Sequence, residues 1–238
     1  MHHDHAGVVP EAAGTATLSG MTGPGAAERK HVRSPRSLEA DSKASEMLPA
    51  ITQILRDRGP EGFALGAIAA DLGTSSRMLI YHFGSRDELL GRVMKLLRND
   101  TIALLGAPPP IGLDEAIGRF WNYYVHAGHI SDMQLFFHMA SRRFEEPDRF
   151  DDFASTAVDG WVHFFTVAAE ADGMEESAAR TVSRLTLATL RGIIVDYLIT
   201  GDLANGERSL DAYRAMVSSM TGAAVRGRSR TSRRAVSG

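Results

Sequence analysis

Apolar residues recur along most of this chain at spacings of three and four, the period of a helix with one buried face, and there is no convincing series of strands and no internal repeat. Between Ala64 and Leu90 two short patterns of this kind flank one tight turn. Leu65, Ile68, Ala69 and Leu72 share the face of a first helix, and Gly73 then offers the left-handed conformation that closes a helix without a Cβ clash. Ser75 follows as a side chain able to accept a backbone N–H and so cap a second helix reaching Phe83. In that helix Leu79 and Phe83 point inward, four residues apart, while Ser76, Arg77, Met78 and Tyr81 face outward. Farther on, the pattern predicts helices over about 113–127, 131–144, 150–171, 175–199 and 206–221. Breaks fall at Gly128, Pro147, Gly173 and a loop from Gly201 to Gly206, and Pro108-Pro109-Pro110 ends the helix before them. The fold class is all-α.

Two short helices around a glycine turn are the layout of a helix-turn-helix reading head. Ile54-Leu55, Arg58-Gly59, Ile68-Ala69, Leu72-Gly73, Ser75, Leu79, His82-Phe83, Ser85-Arg86 and Glu88-Leu89 stand in ungapped order between Met47 and Lys95. In that order the chain resembles the DNA-binding domain of the TetR family of bacterial transcriptional regulators. The resemblance implies an N-terminal three-helix DNA-binding head whose recognition helix lies in the major groove. It also implies a fourth helix, beginning near Arg86, that links the head to a larger helical ligand-binding and dimerisation bundle. The DNA-binding candidates are Ser75, Ser76, Arg77, Met78, Tyr81, His82 and Arg86. The Arg77 guanidinium can offer two donors to guanine O6 and N7, Met78 can meet a thymine methyl or pack inward, and Ser76 can donate or accept. The chain departs from the family pattern at Ala64, Leu65 and Ile80, where a capping threonine, a polar phosphate contact and a tyrosine are usual. Tyr81 and His82 are then left to supply part of the backbone contact. Pro49, inside the first helix pattern, either starts that helix or kinks it.

These patterns divide the 238 residues into a disordered tail at 1–37, the head at 38–85, the bundle at 86–222 and a basic disordered tail at 223–238. The overall charge of −3 conceals a polarity: residues 29–98 hold 12 basic against 8 acidic side chains, and residues 99–222 hold 9 against 18. A basic head on an acidic body turns the head toward phosphates and makes the attraction salt-sensitive. Arg29, Lys30, Arg33 and Arg36 form an arm beside the first helix that either follows a DNA groove or serves as a soluble linker. His2, His3 and His5 read as part of a solvated tail, and no metal site is assigned to them. The arginines at 226, 228, 230, 233 and 234 follow the last helix and read as a solvated end. With no cysteine there is neither a disulfide framework nor a thiolate metal site, which fits a cytoplasmic location.

The 44% hydrophobic content is ample for a bundle core. The longest apolar stretch, Leu185 to Ile199, is interrupted by Arg191 and Asp196, so it reads as a buried or subunit-packing helix rather than a membrane span. Its apolar surface, carried by Leu185, Leu187, Ala188, Leu190, Ile193, Ile194 and Leu198, is too broad for one core-facing stripe, and a second contact surface is expected. In the family the last two long helices pair across a subunit interface, and Leu190-Arg191-Gly192 followed by Gly201-Asp202 resembles that region. A homodimer through the last two long helices follows, its two heads reading half-sites of a palindromic double-stranded DNA operator. The first half of the body is rich in aromatic side chains, which fit either an aromatic core or the wall of a cavity for a small organic effector. Phe120, Trp121, Tyr124, His138, Trp161 and Phe165 are the ligand-binding candidates. His126 and His129 are three residues apart and could join His138 on a metal, but no carboxylate or cysteine completes a zinc spacing, so no metal and no cofactor are expected.

No Gly-rich phosphate loop, nucleophile elbow or cysteine nucleophile is present, so an enzyme is not the expected class. The expected function is that of a ligand-responsive transcriptional regulator, a repressor whose operator is released when effector binding alters the half-site spacing through the helix from Arg86 to Leu97. Two alternatives stand beside it: a non-specific DNA-binding protein, with similar affinity for all sequences, and a helical-bundle small-molecule-binding protein or enzyme indifferent to DNA.

Overall fold

The structure is a computed structural model that describes residues 35–110, 112–147 and 151–235. Among these residues nine helices follow one another with no strand. The histidines at positions 2, 3 and 5 and the basic arm at Arg29, Lys30 and Arg33 lie outside the described residues.

Helix α1 spans Pro35–Arg58 and continues through Pro49, so Pro49 does not start it. Pro49 lies on the exposed side, where the lost N–H bond leaves the Ser45 carbonyl to solvent, while Ala44, Ile51 and Leu55 bury on the other face. A 3₁₀ turn at Gly59–Phe63 leads into α2, Leu65–Asp71, which starts at Ala64 with no side-chain cap. Gly73 adopts φ +63° in the turn that follows. Helix α3, Ser76–Phe83, is capped by Ser75, whose Oγ accepts the Met78 N–H at 3.2 Å. Gly84, at φ +86°, ends α3, and Ser85 caps α4, Arg86–Leu105, by accepting the Glu88 N–H at 3.1 Å.

Leu79 and Phe83 are fully buried with Ile51, Leu55, Phe63 and Ile68, so α3 is bolted to α1 by one face. This core does not stop at residue 85. Leu89, Leu90, Val93 and Leu97 of α4 complete it, together with Leu135 and Met139 of α6, Ile130–Glu145. The head is therefore packed directly on the body.

The body adds α5, Leu113–Trp121, extended by a π-helical turn at Asn122–His126, then α6, α7, Asp151–Ala171, α8, Glu176–Thr200, and α9, Leu203–Ala235. Its core centres on Phe120, Trp161, Phe165, Leu187, Leu190 and Ile194. Two sequence expectations need correction at the C-terminal end. Gly206 is not part of a loop: Asp202 Oδ1 accepts the Asn205 N–H at 2.9 Å and starts α9 early. Gly206 is then buried in the helix, where an added Cβ would stand 3.4 Å from the Trp121 ring. The segment after residue 222 is not structureless either, since α9 continues to Ala235 through an arginine-rich stretch without proline, and arginine is a good helix former.

Two long-range polar contacts fasten α5. Asp114 receives both Nε and Nη2 of Arg214 in α9 at 2.7 Å. Asp172, just past α7, accepts the Leu113 N–H at 2.8 Å and caps α5 from across the bundle; Gly112 leaves room for that carboxylate, since a Cβ there would lie 2.3 Å from Asp172 Oδ1. Asp172→Ala is expected to lower stability by about 1 kcal/mol, the usual worth of a helix cap, in a urea titration, with Asp172→Asn closer to the parent.

Candidate functional site

On α3 the two anchors turn the rest of the helix outward. Arg77 is exposed, Met78 and Ile80 are about 40% accessible, and Tyr81 reaches 60%. Ser76 is half-buried at the N-terminal end, where the first N–H groups of a helix attract anions. Met78 thus does not pack inward, and Ile80, which the sequence reading left out of the outward group, joins it. His82 stacks edge-on to Tyr81 with ring centres 5.1 Å apart, and its Nδ1 is buried without a hydrogen-bond partner. The structure brings Ser75, Ser76, Arg77, Met78, Tyr81 and His82 onto one helix.

Arg86 is placed differently. Its Nε donates to the Phe63 carbonyl at 2.7 Å, Nη1 lies 3.4 Å from Asp87, and Nη2 lies 3.3 Å from His138 Nε2 on α6. The guanidinium is thus occupied in the joint between head and body instead of standing beside α3. Because a guanidinium can only donate, His138 Nε2 must accept and the imidazole is neutral. Burial and then the Arg86 charge hold His138 below its ordinary pKa, against the opposing pull of Asp87. His138 therefore belongs to this joint, beside Phe63, Ala64, Leu65 and Gln134, and not to the aromatic body.

A second joint was not anticipated. Asp132 on α6 is buried and accepts from Arg56 Nε at 3.3 Å and Nη2 at 3.2 Å; Arg56 sits near the end of α1. The same Nη2 donates to Tyr123 Oη at 2.9 Å, and Thr101 of α4 is 3.1 Å from that phenol. Burial opposes the Arg56 charge, but the bond and attraction of Asp132 outweigh it and leave its pKa raised. One network thus ties α1, α4, α6 and the π-helical turn. From sequence, neither Arg56 nor Asp132 differs from an ordinary helix-surface charge.

Four of the six ligand candidates meet. The rings of Phe120 and Tyr124 are 4.7 Å apart, Phe120 and Trp161 4.9 Å, and Trp161 and Phe165 6.4 Å. Trp121 is buried beside Gly206 with its Nε1 unpartnered, and His138 lies elsewhere. Of the cluster, Tyr124 and Trp161 reach a cavity also lined by Met94, Asp132, Phe136, Phe153 and Arg191, whereas Phe120 and Phe165 form the wall behind. Burial pushes the Tyr124 phenol above its ordinary range, so it stays protonated. The free volume is about 30 Å3, room for a water or two, so an organic molecule enters only if side chains yield.

Arg191 is the residue the sequence reading missed as a site. Its guanidinium covers the Phe136 ring at 3.9 Å and donates to the Ala157 carbonyl at 2.8 Å, while Nε is buried without a partner. Burial lowers its pKa to about 10, which leaves it charged at neutral pH.

The three histidines weighed for a metal are apart: His126 faces Glu207 at 3.5 Å, His129 stacks on Tyr123 at 4.2 Å, and His138 faces Arg86. No group of three His, Asp or Glu suited to a metal occurs among the described residues, and no helix there is long and apolar enough to cross a membrane.

These features define an all-helical protein with a helix-turn-helix head on a helical bundle. The family model for bacterial regulatory proteins of the tetR family matches residues 48–93. A solved structure, a TetR transcriptional regulator from Legionella pneumophila, aligns at a TM-score of 0.56 and 17% identity, covering 73% of this chain and 94% of that one. No curated protein matches the chain. The matched span, residues 48–93, runs from α1 into α4 and holds most of the ordered motifs that carry the resemblance.

The neutral His138 carries a consequence for pH. Its folded pKa lies below its unfolded value, so the unfolded chain binds the extra proton first, and stability is lost as pH falls below about 6.5. His138→Gln is expected to flatten that loss in thermal melts between about pH 7.5 and 5.5, whereas an unchanged slope would place the titration elsewhere.

Proposed function

We propose that this protein is a transcriptional repressor that binds a palindromic operator as a homodimer and releases it when a small organic effector enters the bundle. The observation that carries the reading is α3, anchored by Leu79 and Phe83 and presenting Ser76, Arg77, Met78 and Tyr81 along one exposed face. An exposed helix of this kind, with a bidentate donor near its start, suits major-groove readout. Arg86 acts from behind, holding α4 against Phe63, and takes no base contact in this reading. The protein acts in the cytoplasm, without a cofactor and without turnover of the effector.

Transmission runs through α4 and α6. Thr101 and Asp132 both touch Tyr123, Asp132 also lines the cavity, and Arg56 of the head is bonded to Asp132. A ligand that displaces α6 therefore works against the same bonds that hold α1. A coupling of about 1 to 3 kcal/mol changes operator affinity by roughly 5- to 150-fold.

For the dimer, the apolar surface of α8 divides in two. Leu187, Leu190 and Ile194 are buried in the bundle, whereas Leu185 and Ile199 are exposed on α8, as are Met216 and Met220 on α9. These outward residues support pairing of the last two long helices with a second copy.

Selection of genomic fragments by the purified protein, followed by sequencing, tests the reading: a recurring inverted repeat is expected, and uniform recovery would point to non-specific binding. On the selected site, Arg77→Ala should cost about 1 to 3 kcal/mol and relax discrimination at one base position. Ile199 is 79% exposed in the single chain, so Ile199→Glu should leave the fold intact and shift the sedimentation profile from dimer to monomer.

A further inference from the structure

Resting on the effector reading above, we propose that the effector is an organic anion, a carboxylate carried on an aromatic or acyl body, and that Arg191 is the residue that holds it. Arg191 stands in the cavity wall with a single hydrogen bond, to the Ala157 carbonyl, and no carboxylate faces it among the described residues. Among the described residues the cavity has one acid in its lining, Asp132, and that acid is already engaged by Arg56 and Tyr123. Lys95 and Arg98 of α4 line the same space. Among the described lining residues the cations thus outnumber the acids.

A largely buried cation that no described carboxylate meets costs stability, and a bundle that needed only packing at residue 191 would hold leucine or methionine there. The guanidinium also presents a planar fork whose spare donors suit two carboxylate oxygens. Phe136, already under the guanidinium, and Tyr124, Phe153 and Trp161 supply an apolar body site on the other sides. In the closed cavity Arg191 packs on Phe136 and takes up space. An entering anion draws the guanidinium off that ring and makes room for its own apolar part. The result is a site that selects by charge at one end and by apolar contact at the other.

The test uses 4-phenylbutyrate and decanoate, each beside its neutral amide, titrated into the full-length protein and followed by tryptophan fluorescence, since Trp161 lines the cavity, and by thermal shift. At least one acid is expected to bind about tenfold or more tightly than its amide, the worth of a hydrogen bond to a charged group. Arg191→Met should abolish that preference while melting no lower than the parent in the absence of ligand, because it removes a largely buried charge that no described carboxylate meets. Arg191→Lys should retain a weakened preference. Equal binding of acid and amide, no response to either acid, or a melting temperature several degrees lower in Arg191→Met would overturn the proposal, the last by making Arg191 a structural strut. Operator binding in the same preparations separates the two readings. Release of DNA by an amide would keep the effector mechanism and remove the anion, and failure to bind any specific DNA would remove the regulator reading while leaving carboxylate binding in place.

Discussion

A carboxylate taken out of water must be paired, and Asp132 finds its partner in another part of the chain. Arg56 comes from α1, Tyr123 from the π-helical turn after α5, and Thr101 from α4, so the need to satisfy one buried charge fixes four elements at one point. Breaking a buried pair by removing one partner typically costs about 3 to 5 kcal/mol, because the other charge is stranded. Hydrophobic contact at the same joint, through Leu135 and Met139 against the head core, has no comparable directional demand. The apolar surface brings head and body together, and the polar network sets their register.

Arg86 and His138 form the second fastening, and their chemistry differs. Arg86 spends its donors on the Phe63 carbonyl, Asp87 and His138, while Arg142 reaches Asp87 and two glutamates from α6. This fastening titrates through His138, whereas the other joins Arg56 to the buried Asp132. In the proposed mechanism the Arg56–Asp132 network carries the effector's influence, since Asp132 lines the cavity, and the Arg86–His138 fastening holds the start of α4 under the recognition helix.

Helix positions were legible in the sequence wherever local signals acted alone. Gly73 and Ser75 mark helix ends by positive φ and by capping, and the structure places each end there. The start of α9 was misread because Gly206 looks like a breaker by itself; packing against Trp121 is what asks for a glycine, and that contact comes from a helix eighty-five positions away. The Asp172 cap on α5 was invisible for the same reason. The outward face of α3 followed from a period of 3.6 and two apolar anchors. Arg86 and His138 were assigned to different sites from their neighbours in sequence, and they meet because α6 crosses the base of the head.

Arg191 and Asp196 show where sequence reasoning ends. Both interrupt the same apolar run, five residues apart, and both served equally well to argue against a membrane span. A turn and a half of helix separates their fates: Asp196 is exposed, and Arg191 turns into the bundle over Phe136. A charge within an apolar helix is cheap on one face and costly on the other, and the choice of face depends on where α7 lies. Ala157 and Phe136, which receive Arg191, are thirty-four and fifty-five positions away in the chain. The proposed anion site therefore rests on a broken local rule, a cation in an aromatic wall, and the break becomes interpretable once the fold shows no acid facing it among the described residues.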